Sequence, residues 1–135
     1  MPDPRTPIRR APSLPISASD FLVTLAEPTR LRILNCVAAA PLFVSDLVAV
    51  LGLPQPTISR HLKVLRDLEV LRDVPLPPFV LYTCAVLGGS RARMVRAVLD
   101  TLRGDPAAKV DRAAALRRSR AEFEARVAGA AADAS

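Results

Sequence analysis

The residues most suggestive of chemistry lie in one stretch near the middle of the chain. Ile58, Leu62 and Leu65 recur at helical spacing and predict the buried side of a helix. At about 100° per residue, Arg60 and Lys63 fall on the opposite side. Cations on such a face reach DNA bases or phosphates, so the pattern is typical of a helix that enters a major groove. An ordinary amphipathic surface helix shows the same pattern, so this helix alone does not distinguish a DNA-recognition helix from a surface helix.

Four further polar residues belong to the same helix. Thr57 and Ser59 flank the cationic face, and their short hydroxyl side chains let the backbone approach DNA. Gln55 stands in the first turn, which is the part of a recognition helix that enters the groove. His61 falls on the flank nearer the core, which favours packing or a phosphate contact over base reading.

The elements around this helix give it a context. A short helix, Asp46–Leu51, ends at Gly52, and the polar helix starts at Pro54, which together form a helix-turn-helix pattern. Two apolar runs follow, Val70–Val74 and Phe79–Val86. The segment 75–78 between them, with three prolines, predicts a stiff hairpin tip. The sequence therefore predicts a mostly α-helical fold with a small β-hairpin wing, a winged helix-turn-helix.

Helices are also predicted on both sides of this unit. Ser17 or Ser19 caps a first helix, and a second begins near Glu27–Pro28 and ends near Ala40–Pro41. A short extended stretch, 42–44, comes next. Helix resumes at Ser90, is interrupted at 104–106, and continues over about 107–127. We expect three parts: a Pro/Arg-rich arm (1–16), a winged helix-turn-helix DNA-binding domain (17–103), to which the resemblance described below adds dimerisation, and an Ala/Arg-rich C-terminal helix and tail (104–135).

Composition limits the class of protein. The 135 residues are 50% hydrophobic, 4% aromatic and carry a net charge of +6, which suits a polyanion or an anionic membrane surface. No stretch approaches a membrane span, and two cysteines make no disulfide framework, so we expect a cytoplasmic location. With one histidine, no clustered carboxylates and no Gly-rich phosphate loop, we expect no enzyme and no cofactor.

Three segments together resemble the ArsR/SmtB family of repressors. They are Leu25–Leu34 (LAEPTRLRIL), Val44–Leu47 (VSDL) and Leu51–Leu65 (LGLPQPTISRHLKVL). The resemblance covers about residues 19–100. It implies a winged-helix homodimer that occupies operator DNA and leaves it when an inducer binds. It also implies DNA contacts from six residues: Gln55, Thr57, Ser59, Arg60, His61 and Lys63.

The resemblance further implies a dimer interface made by the first helix and the helix after the wing. Their apolar stripes agree with this, and we expect neither stripe to be needed to close the central core. The stripes are Phe21, Leu22 and Leu25 in the first helix, and Met94, Val95, Val98 and Leu102 in the other.

Departures from the family pattern argue against metal sensing. Phe43 and Ser45 occupy the places of the family's thiolate pair at the start of the third helix. Phenylalanine cannot ligate a metal, and serine is a poor substitute for thiolate. The family's other common site needs histidine pairs, whereas this chain has only His61. We expect no metal site in either arrangement.

The wing and the cysteines leave two hypotheses open. Because the predicted wing tip is uncharged, we expect weak or apolar wing contacts with DNA. The N-terminal arm is a candidate for minor-groove contacts through Arg5, Arg9 and Arg10. Cys36 and Cys84 are candidate thiol sensors for arsenicals or oxidants. Both also fit two small buried hydrophobic residues.

The sequence therefore favours a homodimeric DNA-binding repressor with an unidentified inducer. The alternative is a winged-helix module for protein interaction in which DNA binding is weak or lost. The Pro-rich wing and the Ala/Arg-rich C-terminal helix support that alternative.

Overall fold

Two capped helices open the fold in the computed structural model, which describes residues 16–85 and 88–133. Helix α1 spans Ala18–Leu25 and α2 spans Pro28–Ala39. Ser17 caps α1, its Oγ accepting from the Asp20 amide at 3.1 Å. Pro28 occupies the first turn of α2, where its missing N–H costs nothing. Both predicted starts are confirmed.

The helix-turn-helix follows a very short strand, β1 (Leu42–Phe43). Helix α3 spans Val44–Leu51 and α4 spans Gln55–Asp67. Helix α3 begins two residues before the predicted Asp46, because the Asp46 carboxylate reaches back and accepts from the Phe43 amide at 2.9 Å. Gly52 ends α3 at φ +67°, a left-handed conformation that glycine adopts without penalty.

The wing is a hairpin whose second strand lies in the middle of a three-stranded antiparallel sheet. Strand β2 spans Leu71–Leu76, β3 spans Phe79–Cys84, and the order is β1-β3-β2. The predicted tip, 75–78, is too long: Pro75 and Leu76 pair with β3, and only Pro77–Pro78 turn. Proline is tolerated in β2 because it is an edge strand.

Two helices complete the chain: α5 spans Gly89–Arg103 and α6 spans Pro106–Asp133. The break between them is capped by Asp105, whose carboxylate accepts from the Ala108 amide at 3.1 Å. Helix α6 lies against α2 and α3, and its buried Ala108 and Ala115 allow close approach. Among the described residues, no helix has the length and apolar character needed to cross a membrane.

Polar contacts fix α6 along its length. The Asn35 amide, 2% exposed, donates to the Ala108 carbonyl at 3.0 Å and accepts from Arg112 at 2.8 Å. Further along, Arg118 donates to the buried Asp46 carboxylate at 3.0 Å. The sequence left the placement of this helix open, and these contacts tie it to the helix-turn-helix of its own chain.

The core corrects one expectation about the first helix. Phe21 and Leu25 are 0% and 1% exposed and pack in the same cluster as Ile33, Leu34 and Ile58. They are therefore needed to close the core within one chain. Val95 of the other predicted stripe, 8% exposed, packs in the same cluster, so the expectation also fails for that residue. The remaining apolar side chains of α1 point outward, with Leu22 44% and Val23 72% exposed.

Candidate nucleic-acid interface

Helix α4 divides into a buried face and an exposed polar face, as its spacing predicts. Ile58, Leu62 and Leu65 are fully buried against the core. Burying such side chains contributes roughly 1.5–3 kcal/mol each, which holds the helix in one orientation. The opposite face is presented to solvent. It carries Gln55, Ser59, Arg60 and Lys63, with Thr57 partly exposed beside them.

The exposed face brings hydrogen-bonding groups and positive charge together. Arg60 Nη2 donates to Thr57 Oγ1 at 3.4 Å, so the guanidinium lies beside the first turn of the helix. Lys63 lies one turn further along the same face. The positive end of the α4 dipole adds to their attraction for an anion. The arrangement can bind phosphate and donate hydrogen bonds to base edges.

His61 is engaged within the chain. It is 20% exposed, and its Nδ1 accepts from Arg30 Nε at 3.3 Å. This contact requires the ring proton on Nε2. Arg30 also donates to the Thr24 carbonyl at 2.8 Å and so joins α1, α2 and α4. Sequence reasoning missed Arg30, since only tertiary packing brings it to His61.

Glu27 completes this group at the start of α2. Its carboxylate lies 3.7 Å from His61 Nδ1 and accepts from the Arg30 amide at 2.9 Å. Burial raises the pKa of Glu27, but hydrogen bonds from the Arg30 and Thr29 amides and the charge of Arg30 act against it, and the net pKa is lowered.

The wing presents an apolar surface instead of charge. Leu76, Phe79 and Val80 are 42%, 55% and 36% exposed around the turn. At the base of the wing, Arg66 of α4 reaches Asp73 of β2 at 3.4 Å and links the two elements. The predicted uncharged tip is therefore Pro77–Pro78 with apolar neighbours.

Helix α6 braces the wing in a way that the sequence did not indicate. The Phe43 and Phe79 rings meet edge to face with centroids 6.0 Å apart. The Arg126 guanidinium lies 4.3 Å from the Phe43 centroid and 5.6 Å from that of Phe79. One cation thus joins the start of α3, the wing and α6 through cation–π contacts.

The two cysteines are free thiols in surroundings that disfavour the thiolate. Cys36 is 0% exposed, and its pKa is raised to about 12, first by burial and then by the Asp111 charge. Burial also raises the pKa of the partly exposed Cys84. Because the thiolate is the reactive form, both environments count against the thiol-sensor hypothesis, which stays a prediction.

Within residues 16–85 and 88–133, no group of three or more His, Cys, Asp or Glu side chains is placed to hold a metal ion. Phe43 and Ser45 lie at the start of α3, and the neighbouring Asp46 is paired with Arg118. The arm residues Arg5, Arg9 and Arg10 lie outside the described residues, so their contacts stay a prediction.

Sequence comparison identifies regulators that resemble this chain. It is 38% identical to the HTH-type transcriptional regulator NmtR of Mycobacterium tuberculosis over 47% of this chain and 58% of that protein. It is 32% identical to the transcriptional repressor SmtB homolog of Synechocystis over 50% of this chain and 51% of that protein. The chain thus spans between half and three-fifths of these relatives.

Solved structures share the fold. Reduced HlyU from Vibrio cholerae is 28% identical with a TM-score of 0.54, covering 63% of this chain and 83% of that one. The transcriptional repressor BigR from Xylella fastidiosa, at 24% identity and a TM-score of 0.56 over 65% of this chain and 85% of its own, supports the fold alone.

A family model agrees with both comparisons. Residues 27–73, from the cap of α2 into the wing, match the bacterial regulatory protein, arsR family. The match contains the whole helix-turn-helix and the polar face of α4. Over these residues, the chain is similar to the ArsR family of bacterial regulatory proteins.

Proposed function

We propose that this protein is a sequence-specific DNA-binding transcriptional repressor that works as a homodimer and leaves its operator when an effector binds. The single observation that carries the proposal is the exposed face of α4, where Arg60 and Lys63 stand beside short polar side chains over a fully buried apolar face. Such a helix is rigid at its back and polar where a major groove would meet it.

Each residue of the face has a proposed part. Arg60 and Lys63 anchor phosphates or guanine edges, and Gln55, Thr57 and Ser59 discriminate among bases. His61 is proposed to contact a phosphate only through Nε2, because Nδ1 is taken by Arg30. The arm residues Arg5, Arg9 and Arg10 are proposed to add minor-groove contacts, since the wing tip offers no charge.

The dimer is proposed to form through α1 and α5. Leu22 and Val23 expose apolar surface on α1, and Met94, Val98 and Leu102 of α5 are only partly buried. Phe21, Leu25 and Val95, which are enclosed in the core, take no part in this surface. A two-fold axis there would set the two α4 helices in successive major grooves, about 34 Å apart. The proposal includes a cytoplasmic location, no catalytic activity and no membrane partner.

Selection of bound fragments from random duplexes tests specificity and symmetry together. The full chain is expected to enrich a pseudo-palindrome whose half-sites are about one helical turn apart. Enrichment of a single half-site would contradict the dimer, and no enrichment over the input would contradict sequence-specific binding.

The wing favours one alternative, a protein-interaction module. Its support is the apolar surface of Leu76, Phe79 and Val80 around an uncharged turn. A chain of this kind would bind duplex DNA weakly and without salt dependence, whereas the repressor would lose affinity steeply between 50 and 200 mM salt, as roughly expected when several phosphates are neutralised.

A further inference from the structure

A cleft of about 460 Å³ lies between the wing, the start of α3 and the second half of α6. We call it the α6 cleft. Its apolar walls are Phe43 at the start of α3 together with Leu76 and Leu81 of the wing. Its remaining wall is polar and comes from α6, with Arg120, Glu122 and Arg126. The volume falls within the roughly 300–1,000 Å³ of small-molecule sites, and apolar walls with a few polar groups are their usual lining.

The charges that line the α6 cleft favour an anion. Asp46 also borders it, but Arg118 neutralises that carboxylate at 3.0 Å. The other charged residues of the lining are Arg120, Arg126 and Glu122, which leave it with a net positive charge. Arg126 is the better placed of the two arginines, because its guanidinium carbon lies over the Phe43 ring, 4.3 Å from the centroid.

The position over the ring suits Arg126 to receive a planar anion. A guanidinium that stacks on a ring through its face keeps the N–H groups along its edge for hydrogen bonding. Those N–H groups match a carboxylate in geometry and can bind it with two parallel hydrogen bonds. In the part of the chain that the structure describes, no carboxylate lies within 4 Å of the Arg126 guanidinium. A ligand carboxylate would meet Arg126 while its apolar body lies against Leu76 and Leu81.

We propose that the α6 cleft binds a small aromatic carboxylate, with Arg126 holding the carboxylate and the wing residues holding the ring. We further infer that this ligand is the effector of the repressor, a step that rests on the proposed function. The cleft borders α3 and both strands of the wing, so an occupant changes the position of α6 against the elements that flank α4. The same Arg126 joins Phe43 to Phe79, so a carboxylate bound at its edge acts on the contact between α6 and the wing.

Calorimetric titration of the full chain tests the site without DNA. The probes are 1-naphthoate and 1-naphthamide, which are alike in shape and differ in charge. The naphthoate is expected to bind one per chain and at least about tenfold more tightly than the amide, because a charge-assisted hydrogen bond accounts for that difference. Failure of naphthoate to saturate a site, or equal binding of the amide, would overturn the proposal.

Variants locate the site on the chain. Arg126→Gln is expected to abolish the advantage of naphthoate over the amide. Arg117→Gln is the matched control: Arg117 is an exposed arginine of the same helix outside the cleft lining, and its loss leaves both affinities unchanged. Leu76 is 42% exposed in the cleft wall and lies outside the buried core. Leu76→Asp is expected to weaken naphthoate binding about tenfold, because the new carboxylate repels the ligand carboxylate. Unchanged naphthoate binding in both Arg126→Gln and Leu76→Asp would place the site elsewhere.

Binding to a duplex recovered by selection separates the effector role from the proposed function. Naphthoate is expected to release the wild-type chain from that duplex and to have no effect on Arg126→Gln. A chain that binds DNA but not naphthoate contradicts only the cleft. A chain that binds naphthoate but no DNA contradicts the repressor, and one that binds both independently contradicts the effector role.

Discussion

The ion pair between Asp46 and Arg118 gives a stability prediction that can be worked from the geometry. The Asp46 side chain is 1% exposed and accepts from two donors, the Phe43 amide at 2.9 Å and Arg118 Nε at 3.0 Å. Arg118 itself is 43% exposed. The pair therefore consists of one enclosed charge and one charge that water still reaches, and it joins α3 to α6.

The two single substitutions are expected to cost similar amounts for different reasons. Asp46→Ala removes the cap of α3, about 1 kcal/mol, and the charge-assisted bond to Arg118, about 1 kcal/mol more. Arg118→Ala keeps the cap but leaves an enclosed carboxylate without its cation, about 2 kcal/mol after allowing for the water that reaches Arg118. The double variant is also expected to cost about 2 kcal/mol, because it removes the stranded charge together with its partner.

Urea unfolding of the four chains measures this coupling. The expected coupling free energy is about 2 kcal/mol, against about 0.5 kcal/mol or less for the exposed pair Asp100–Arg103, whose side chains are 67% and 77% exposed. Additive single effects at Asp46 and Arg118, or a coupling no larger than that of the control pair, would refute the reasoning that α6 is held to α3 by an enclosed charge.

Three further predictions concern helix ends and a thiol. Glu27→Ala is expected to lower the free energy of unfolding by about 1 kcal/mol at pH 7 in urea titrations. Because the folded-state pKa of Glu27 lies below its usual 4.5, that contribution is present above the usual value and disappears as the pH falls through the folded pKa; a pH-independent loss would contradict it. Gly52→Ala is expected to lower the free energy of unfolding by about 1–2 kcal/mol in the same assay. Space is open around the added Cβ, but alanine is strained at a φ of +67°. An unchanged unfolding midpoint would show that alanine adopts this conformation without strain. Cys36 is expected to resist iodoacetamide at pH 8 in the folded chain and to react after denaturation, because its pKa is raised to about 12. Mass spectrometry measures the alkylation, and rapid alkylation of the folded chain would support the thiol-sensor hypothesis.

The local features of the helix-turn-helix follow from the sequence. The spacing of Ile58, Leu62 and Leu65 defines the buried face of α4, and the same three side chains are fully buried. Ser17, Pro28 and Gly52 also mark helix ends where they are expected, because capping depends on groups a few residues apart. A family resemblance then adds expectations that spacing does not give, namely a homodimer and an inducer.

Features that depend on distant residues were not predictable in the same way. Phe21 and Leu25 have the same spacing whether they pack in the core or in an interface, and only the path of the chain decides. The cation–π contact of Arg126 with Phe43 joins residues 83 positions apart, and no local pattern marks it. Pro75 signals a turn by its type, yet the position of β2 at the sheet edge lets the strand continue through it.

Salt-dependent DNA binding of one matched pair of variants tests the central claim most directly. Affinity for a selected duplex is measured by fluorescence anisotropy from 50 to 200 mM salt for the wild type, Lys63→Ala and Arg117→Ala. If the exposed face of α4 meets DNA, Lys63→Ala weakens binding and lowers the slope of log K against log salt by about one, whereas Arg117→Ala leaves the slope unchanged. Equal slopes in Lys63→Ala and the wild type, with unchanged affinity, would show that α4 is not the surface that binds DNA.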